Sequence, residues 1–68
     1  MELTAEEMAI LAHVVVDPDA WINHSINVFG EETARKHLAE KIARHEADYL
    51  AQKDLPGYKT RAQRVAAG

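Results

Sequence analysis

Helix start signals most constrain the fold of this chain, because they divide it into short helical segments. Thr4 and Glu7 have the spacing of a capping box, in which each side chain accepts a hydrogen bond from the other residue's backbone N–H. The segment Asp17-Pro18-Asp19 is typical of a second start, since Asp17 can cap a helix and proline suits its first position. We therefore predict an all-α protein.

Stop signals and a further start complete the predicted boundaries. Gly30 can end the second helix with positive φ, and Pro56-Gly57 is typical of a tight turn. Thr60 and Gln63 repeat the capping-box spacing. We predict one domain over residues 1–68, a small helical bundle of three main helices and a short C-terminal helix. Their predicted ranges are 4–16, 18–29, 31–53 and 60–67.

The first predicted helix is apolar around most of its circumference, with Glu6 and His13 on one narrow polar strip. Its β-branched end, residues 14–16, leaves open the alternative of a short strand. A chain of 68 residues buries a small share of its surface, and this one has no cysteine for a disulfide. We therefore expect a homo-oligomer that associates through apolar residues a single chain cannot cover: Ile10, Leu11, Val14 and Val15.

Charge divides the chain into two halves. Residues 1–34 carry seven Asp and Glu and no Lys or Arg, whereas residues 35–68 carry eight bases and four acids. Opposite charges favour contact between the halves, or between the basic tail and an acidic partner. In the third predicted helix, three acids each precede a base by four residues, which predicts ion pairs. These pairs are Glu31–Arg35, Glu32–Lys36 and Glu40–Arg44.

The polar residues do not have the spacing of a catalytic or metal site. No two of the four histidines are separated by four residues, and no HExxH motif is present. Ser25 follows His24 directly, and adjacent residues of a helix point about 100° apart, so His24 cannot act as its base. We expect no metal, no cofactor and no enzymatic activity. No apolar run has the length of a membrane span, and we expect a cytoplasmic protein.

Five residues remain as candidates for contact surfaces. His45 lies in a narrow apolar seam of the third helix, where protonation would introduce a charge and weaken helix packing. His24 lies at the border of the apolar face of the second helix, where it can meet a partner. Lys59, Arg61 and Arg64 form a basic tail, which supports an alternative function in binding nucleic acid or an acidic partner. Nucleic acid is the less favoured of the two, since residues 1–34 have no basic side chain.

Three short segments, residues 17–21, 41–44 and 58–64, read DPDAW, KIAR and YKTRAQR. Through them the chain resembles small uncharacterised proteins of tailed bacteriophages and prophages over residues 17–64. The resemblance implies a phage-encoded accessory protein in the bacterial host cell that binds a host or virion protein, and it implies no reaction. The function we predict is therefore non-enzymatic protein–protein interaction by a small homo-oligomer.

Overall fold

Four α-helices account for most of the computed structural model, which describes residues 1–67. They are α1 (Ala5–Val14), α2 (Pro18–Phe29), α3 (Glu31–Gln52) and α4 (Arg61–Ala67). No strand is found among the described residues, so the all-α prediction is confirmed. Gly68, which the predicted domain includes, lies outside them.

The predicted start signals form the expected caps. Thr4 Oγ1 accepts a hydrogen bond from the Glu7 N–H at 3.1 Å, and the Glu7 carboxylate accepts one from the Thr4 N–H at 2.9 Å. Asp17 accepts a hydrogen bond from the Ala20 N–H at 3.1 Å, and Pro18 occupies the first position of α2. Both helices therefore begin where their side chains satisfy backbone N–H groups that lack a partner within the helix.

The first helix ends at Val14, two residues earlier than predicted. Val15 is extended, with φ −123° and ψ 150°, a conformation that β-branched residues favour. Asp17 is also extended, because it precedes proline and caps α2. The short link between α1 and α2 is thus neither helical nor part of a sheet, and the predictions of a helix to residue 16 and of a strand are both wrong.

A single residue, Gly30, joins α2 to α3. Its N–H donates to the Ile26 carbonyl at 2.8 Å, and its φ of 84° lies in the region that favours glycine. The positive φ is as predicted, although a ψ of 160° lies outside the left-handed helical region. So short a joint folds α3 back along α2.

The turn before α4 also has the predicted form. Gly57 has a φ of 78°, and the Tyr58 N–H donates to the Leu55 carbonyl at 3.1 Å. Thr60 and Gln63 then form the second capping box, with hydrogen bonds of 2.9 and 3.1 Å. The C-terminal helix therefore starts from a defined turn rather than from a loose tail.

The hydrophobic core lies where the first three helices meet. Leu11 of α1, Ile22 of α2 and Leu38 of α3 form its centre. Half-buried side chains pack around them: Met1, Leu3, Met8, Val14, Val15, Trp21, Ile26 and Ile42. The centre of the core thus takes one residue from each of the first three helices, and the N-terminal residues before α1 help to cover it.

Two contacts show that α1 and α3 run in the same direction. The amino group of Met1 lies 3.5 Å from Glu31 Oε1 at the start of α3. His13, in the last turn of α1, contacts Asp48 late in α3. One end of the molecule therefore carries the starts of both helices, and the C-terminal segment lies towards the other end.

The chain buries two of the side chains that were predicted to drive self-association. Ile10 is 1% exposed and Leu11 is fully buried, while Val14 and Val15 are half-buried against the core. The other three helices all pack against α1 and bury Ile10 and Leu11, whereas Val14 and Val15 stay partly exposed. Ile10 and Leu11 are therefore not accessible to a second chain, and self-association through Val14 and Val15 stays a prediction.

Few ion pairs form within residues 1–67. Of the three predicted pairs only Glu31–Arg35 is present, at 3.1 Å. No salt bridge among the described residues joins an acid of residues 1–30 to a base of residues 41–64. Among the described residues, Glu31–Arg35 is thus the one salt bridge between an acid of residues 1–34 and a Lys or Arg of the second half. None of the helices in this part of the chain combines the length and the apolar character that crossing a membrane requires.

Candidate functional site

A buried histidine joins three parts of the chain. His13 is 6% exposed, and its Nε2 lies 2.7 Å from Asp48 Oδ2 of α3. Its Nδ1 lies 2.9 Å from the Tyr58 hydroxyl in the turn before α4. Gln52 donates to the second oxygen of Asp48 at 2.8 Å. We call His13, Asp48 and Tyr58 the histidine clamp.

The clamp satisfies both ring nitrogens of His13. An ionised carboxylate only accepts hydrogen bonds, so Nε2 carries a hydrogen and donates to Asp48. In the neutral imidazole, Nδ1 then accepts a hydrogen bond from the Tyr58 hydroxyl; in the protonated imidazole, it donates to the hydroxyl oxygen. The clamp therefore persists whether His13 is neutral or charged, as long as Asp48 is ionised.

The electrostatics of the clamp differ between its two ends. Hydrogen bonds from His13 and then Gln52 lower the pKa of Asp48, since they stabilise the ionised carboxylate. Burial, and then the nearby Tyr49, raise the pKa of Tyr58. Asp48, His13 and Tyr58 follow the order of an orienting carboxylate, a base and a nucleophilic hydroxyl. An activated tyrosine nucleophile requires a lowered pKa, however, and the pKa of Tyr58 is raised.

Aromatic packing reinforces the clamp. The rings of His13 and Tyr58 stack with centroids 5.8 Å apart. Tyr49 packs its edge against both, at 5.8 Å from His13 and 6.3 Å from Tyr58. Such pairs contribute about 0.5–1.5 kcal/mol each beyond the burial of their surfaces. The chain that leads into α4 is therefore fixed by packing as well as by hydrogen bonds.

Beside the clamp lies an open groove of about 360 Å³ that is rich in basic side chains. We call it the basic groove; its lining residues are His13, Val14, Lys41, His45, Asp48, Gln52, Arg61 and Arg64. Lys41 and His45 are four residues apart and so share one face of α3. Arg61 and Arg64 come from α4, which packs against α1. The clamp thus brings two arginines of the C-terminal helix to the same groove as the bases of α3.

A second recess of about 310 Å³ continues along α3 from Lys41, which lines both cavities. Trp21 of α2 forms one wall, and Lys41 Nζ lies 5.5 Å from the centroid of the tryptophan ring. This is the geometry of a cation–π contact. Arg44 adds another base to the recess, and Glu40 an acid. An extended ligand can therefore contact bases of the groove and the recess together.

The structure brings together some of the predicted contact residues and separates others. Arg61, Arg64 and His45 all line the basic groove. Lys59 is exposed but lies outside this groove, and His24 is exposed on α2 away from it. The pH-sensitive role of His45 stays a prediction, since His45 is half-buried at the groove rather than enclosed in a seam.

Sequence reasoning missed the clamp itself. The predicted wheel of α1 places His13 on the polar strip, yet the structure buries it. Its partners are 35 and 45 residues away, so no local spacing could indicate them. The one available signal was Tyr58, an aromatic residue with a polar tip directly after a tight turn.

The described part of the chain holds no group of three or more His, Asp or Glu side chains placed to bind a metal ion. The arrangement instead offers distributed positive charge, one aromatic wall and a rigid clamp. No family model, curated protein or solved structure matches the chain, so the resemblance to phage proteins stays a prediction.

Proposed function

We propose that this protein is a non-enzymatic protein-interaction module whose basic groove binds an acidic segment of a partner protein. One observation carries the proposal: α4 places Arg61 and Arg64 at the same groove as Lys41 and His45. In this proposal α1, α2 and α3 form a small helical bundle that holds the groove in place. From the sequence resemblance alone, we further propose a phage-encoded accessory role with a host or virion protein as partner.

The charge of the groove supports an acidic ligand. Lys41, Arg61 and Arg64 carry three positive charges, while Asp48, the one acid in the lining, is paired with His13. Arginine suits such a role because its planar guanidinium binds carboxylates through two hydrogen bonds. Several carboxylates along one segment would therefore be held better than a single charge.

The charge of the whole chain favours a protein segment over nucleic acid. Nucleic acid carries a negative charge at every phosphate, and its binding depends on many basic contacts. This chain has a net charge of −3 and seven acids in residues 1–34, which would repel a long polyanion. A short acidic segment that stays within the groove avoids those acids. Trp21 is the observation that favours the alternative, because bases of single strands stack on aromatic rings.

A labelled oligoglutamate peptide tests the proposal by fluorescence anisotropy. We expect salt-sensitive binding to the wild-type chain and at least tenfold weaker binding to the double variant Arg61→Gln/Arg64→Gln. Lys59→Gln is the matched control, since it removes one charge from the same segment but outside the groove. Tighter binding of single-stranded DNA than of the peptide would favour nucleic acid instead, and equal binding by both variants would contradict the groove as the site.

A further inference from the structure

The basic groove and the acidic end of the chain, where α1 and α3 both begin, are different surfaces of the molecule. We propose that the acidic end of a second copy of this chain occupies the basic groove, so that copies associate head to tail. The inference rests on the proposed function of the groove and names the partner.

The acidic end is the place where α1 and α3 both begin. Glu2, Glu6 and Glu32 are exposed there, and none of them forms a salt bridge within residues 1–67. The ion pair between the Met1 amino group and Glu31 shows that the two helix starts are adjacent. Glu31 also pairs with the nearby base Arg35. Three unpaired carboxylates therefore share one end of the molecule.

Distance prevents these acids from neutralising the groove of their own chain. Glu32 and Lys41 are nine residues apart on α3, which at 1.5 Å per residue is about 14 Å. The Debye length at physiological ionic strength is about 8 Å, so opposite charges this far apart on a surface are largely screened from each other. Only a separate molecule can bring such an acidic end into the groove.

The geometry also fixes the type of assembly. The acidic end and the basic groove are different surfaces, so the contact between two copies is heterologous. Each copy keeps one unused surface after the first contact. Copies therefore add in sequence, into open chains or into a ring if the rotation closes.

Apolar burial does not by itself favour one surface for a second copy. Ile10 and Leu11 are buried, and the large apolar side chains that stay exposed are divided among α2, α3, α4 and the links between helices: Val16, Val28, Phe29, Leu50, Leu55 and Val65. Glu2, Glu6 and Glu32 have no salt-bridge partner within residues 1–67, so electrostatic attraction is a force that a second copy can satisfy. The association should accordingly weaken as salt screens it.

Sedimentation of the full-length chain over a concentration series tests this. In low salt we expect the average mass to rise with concentration, and in high salt we expect monomer. Two variants separate the surfaces: Arg61→Gln/Arg64→Gln removes groove charge, and Glu2→Gln/Glu6→Gln removes charge from the acidic end. Each variant alone should stay monomeric. Their equimolar mixture should form a complex of two copies and none larger, because each variant supplies only one working surface.

Lys59→Gln and Asp19→Asn are the matched controls, since they change charge at exposed positions outside both surfaces, and they should still associate. Binding of the oligoglutamate peptide by Glu2→Gln/Glu6→Gln shows that this variant is folded with a working groove. If the wild-type chain binds the peptide but stays monomeric, a second copy is not the partner, and the proposed function of the groove still holds. If the wild-type chain does not bind the peptide, both proposals are wrong. Association that persists in high salt, or a mixture that remains monomeric, would also contradict the proposal.

Discussion

The core of the first three helices and the C-terminal segment are held by different forces. Leu11, Ile22 and Leu38 bury apolar surface, whereas α4 has no buried residue, and the turn before it is held to α1 by the hydrogen bond and the ring stacking between Tyr58 and His13. Apolar burial is non-directional, while a hydrogen bond is lost once its partners move apart. We therefore expect the C-terminal segment to detach more readily than the core unfolds, because stability is not uniform across a structure.

The largest change in the free energy of unfolding is expected for a substitution in the core. Leu11→Ala leaves a cavity at a fully buried site, and we expect it to lower the free energy of unfolding by about 2–5 kcal/mol. Urea denaturation followed by circular dichroism measures the change. Leu55→Ala is the control, because Leu55 is 57% exposed and its truncation should change the free energy by no more than about 0.5 kcal/mol. Equal effects would mean that Leu11 is not central to the core.

Removing a hydrogen bond of the histidine clamp should destabilise the C-terminal segment more than the core. Tyr58→Phe keeps the ring and removes the hydroxyl, which leaves Nδ1 of buried His13 without its partner at a cost of about 1–3 kcal/mol. Hydrogen exchange should become faster in residues 61–67 while the amides around Leu38 keep their protection. Uniformly faster exchange over the whole chain would show that the C-terminal segment and the core unfold together.

The same contrast explains what could be predicted from sequence. Caps at Thr4, Asp17 and Thr60 follow from contacts within three residues, and all three are confirmed. The end of α1 was predicted too late, because the competing needs of Val15 and Asp17 for extended backbone outweighed the apolar pattern.

The sequence predicts how apolar α1 is, but not which elements pack against its apolar sides. Sequence indicated correctly that α1 is apolar on several sides, yet it could not show that α2, α3 and α4 cover those sides within one chain. Only part of the basic groove was predicted. Arg61 and Arg64 were identified as basic residues, but their position beside Lys41 depends on the clamp. Polar contacts across 35 and 45 residues are set by topology, which local patterns do not encode.

Two caps of the same chemistry give a sharper test of the comparison. Thr4→Ala and Thr60→Ala each remove one side-chain acceptor from a helix start, at a cost of about 1 kcal/mol to that helix. Because α1 is part of the core, Thr4→Ala should shift the global unfolding midpoint. Thr60→Ala should leave that midpoint nearly unchanged and reduce protection only in α4. The same midpoint shift in both variants would contradict the separation of the two regions.

As the pH falls, the C-terminal segment should detach before the core unfolds. Of the predicted changes in stability, this one is expected to be the smallest. Hydrogen bonds from His13 and Gln52 lower the pKa of Asp48, so the ionised carboxylate is favoured in the folded chain. Its stabilising contribution is therefore fully present above the ordinary aspartate pKa of about 4, and it is lost as the pH falls through the lower folded value. Once Asp48 is protonated, its neutral carboxyl group is a weaker acceptor for the hydrogen bond from His13 Nε2 than the ionised carboxylate is.

Asp48→Asn isolates this titration from those of the other carboxylates. The asparagine oxygen still accepts the hydrogen bond from His13 but does not titrate, so α4 in the variant should lack this part of the pH dependence. Amide NMR signals of residues 61–67, followed from neutral pH into acid for both chains, measure the difference. We expect the wild-type signals to shift towards unfolded values in acid more than those of Asp48→Asn, while core signals coincide. Superimposable acid profiles for α4 would mean that Asp48 does not control how the C-terminal segment is held.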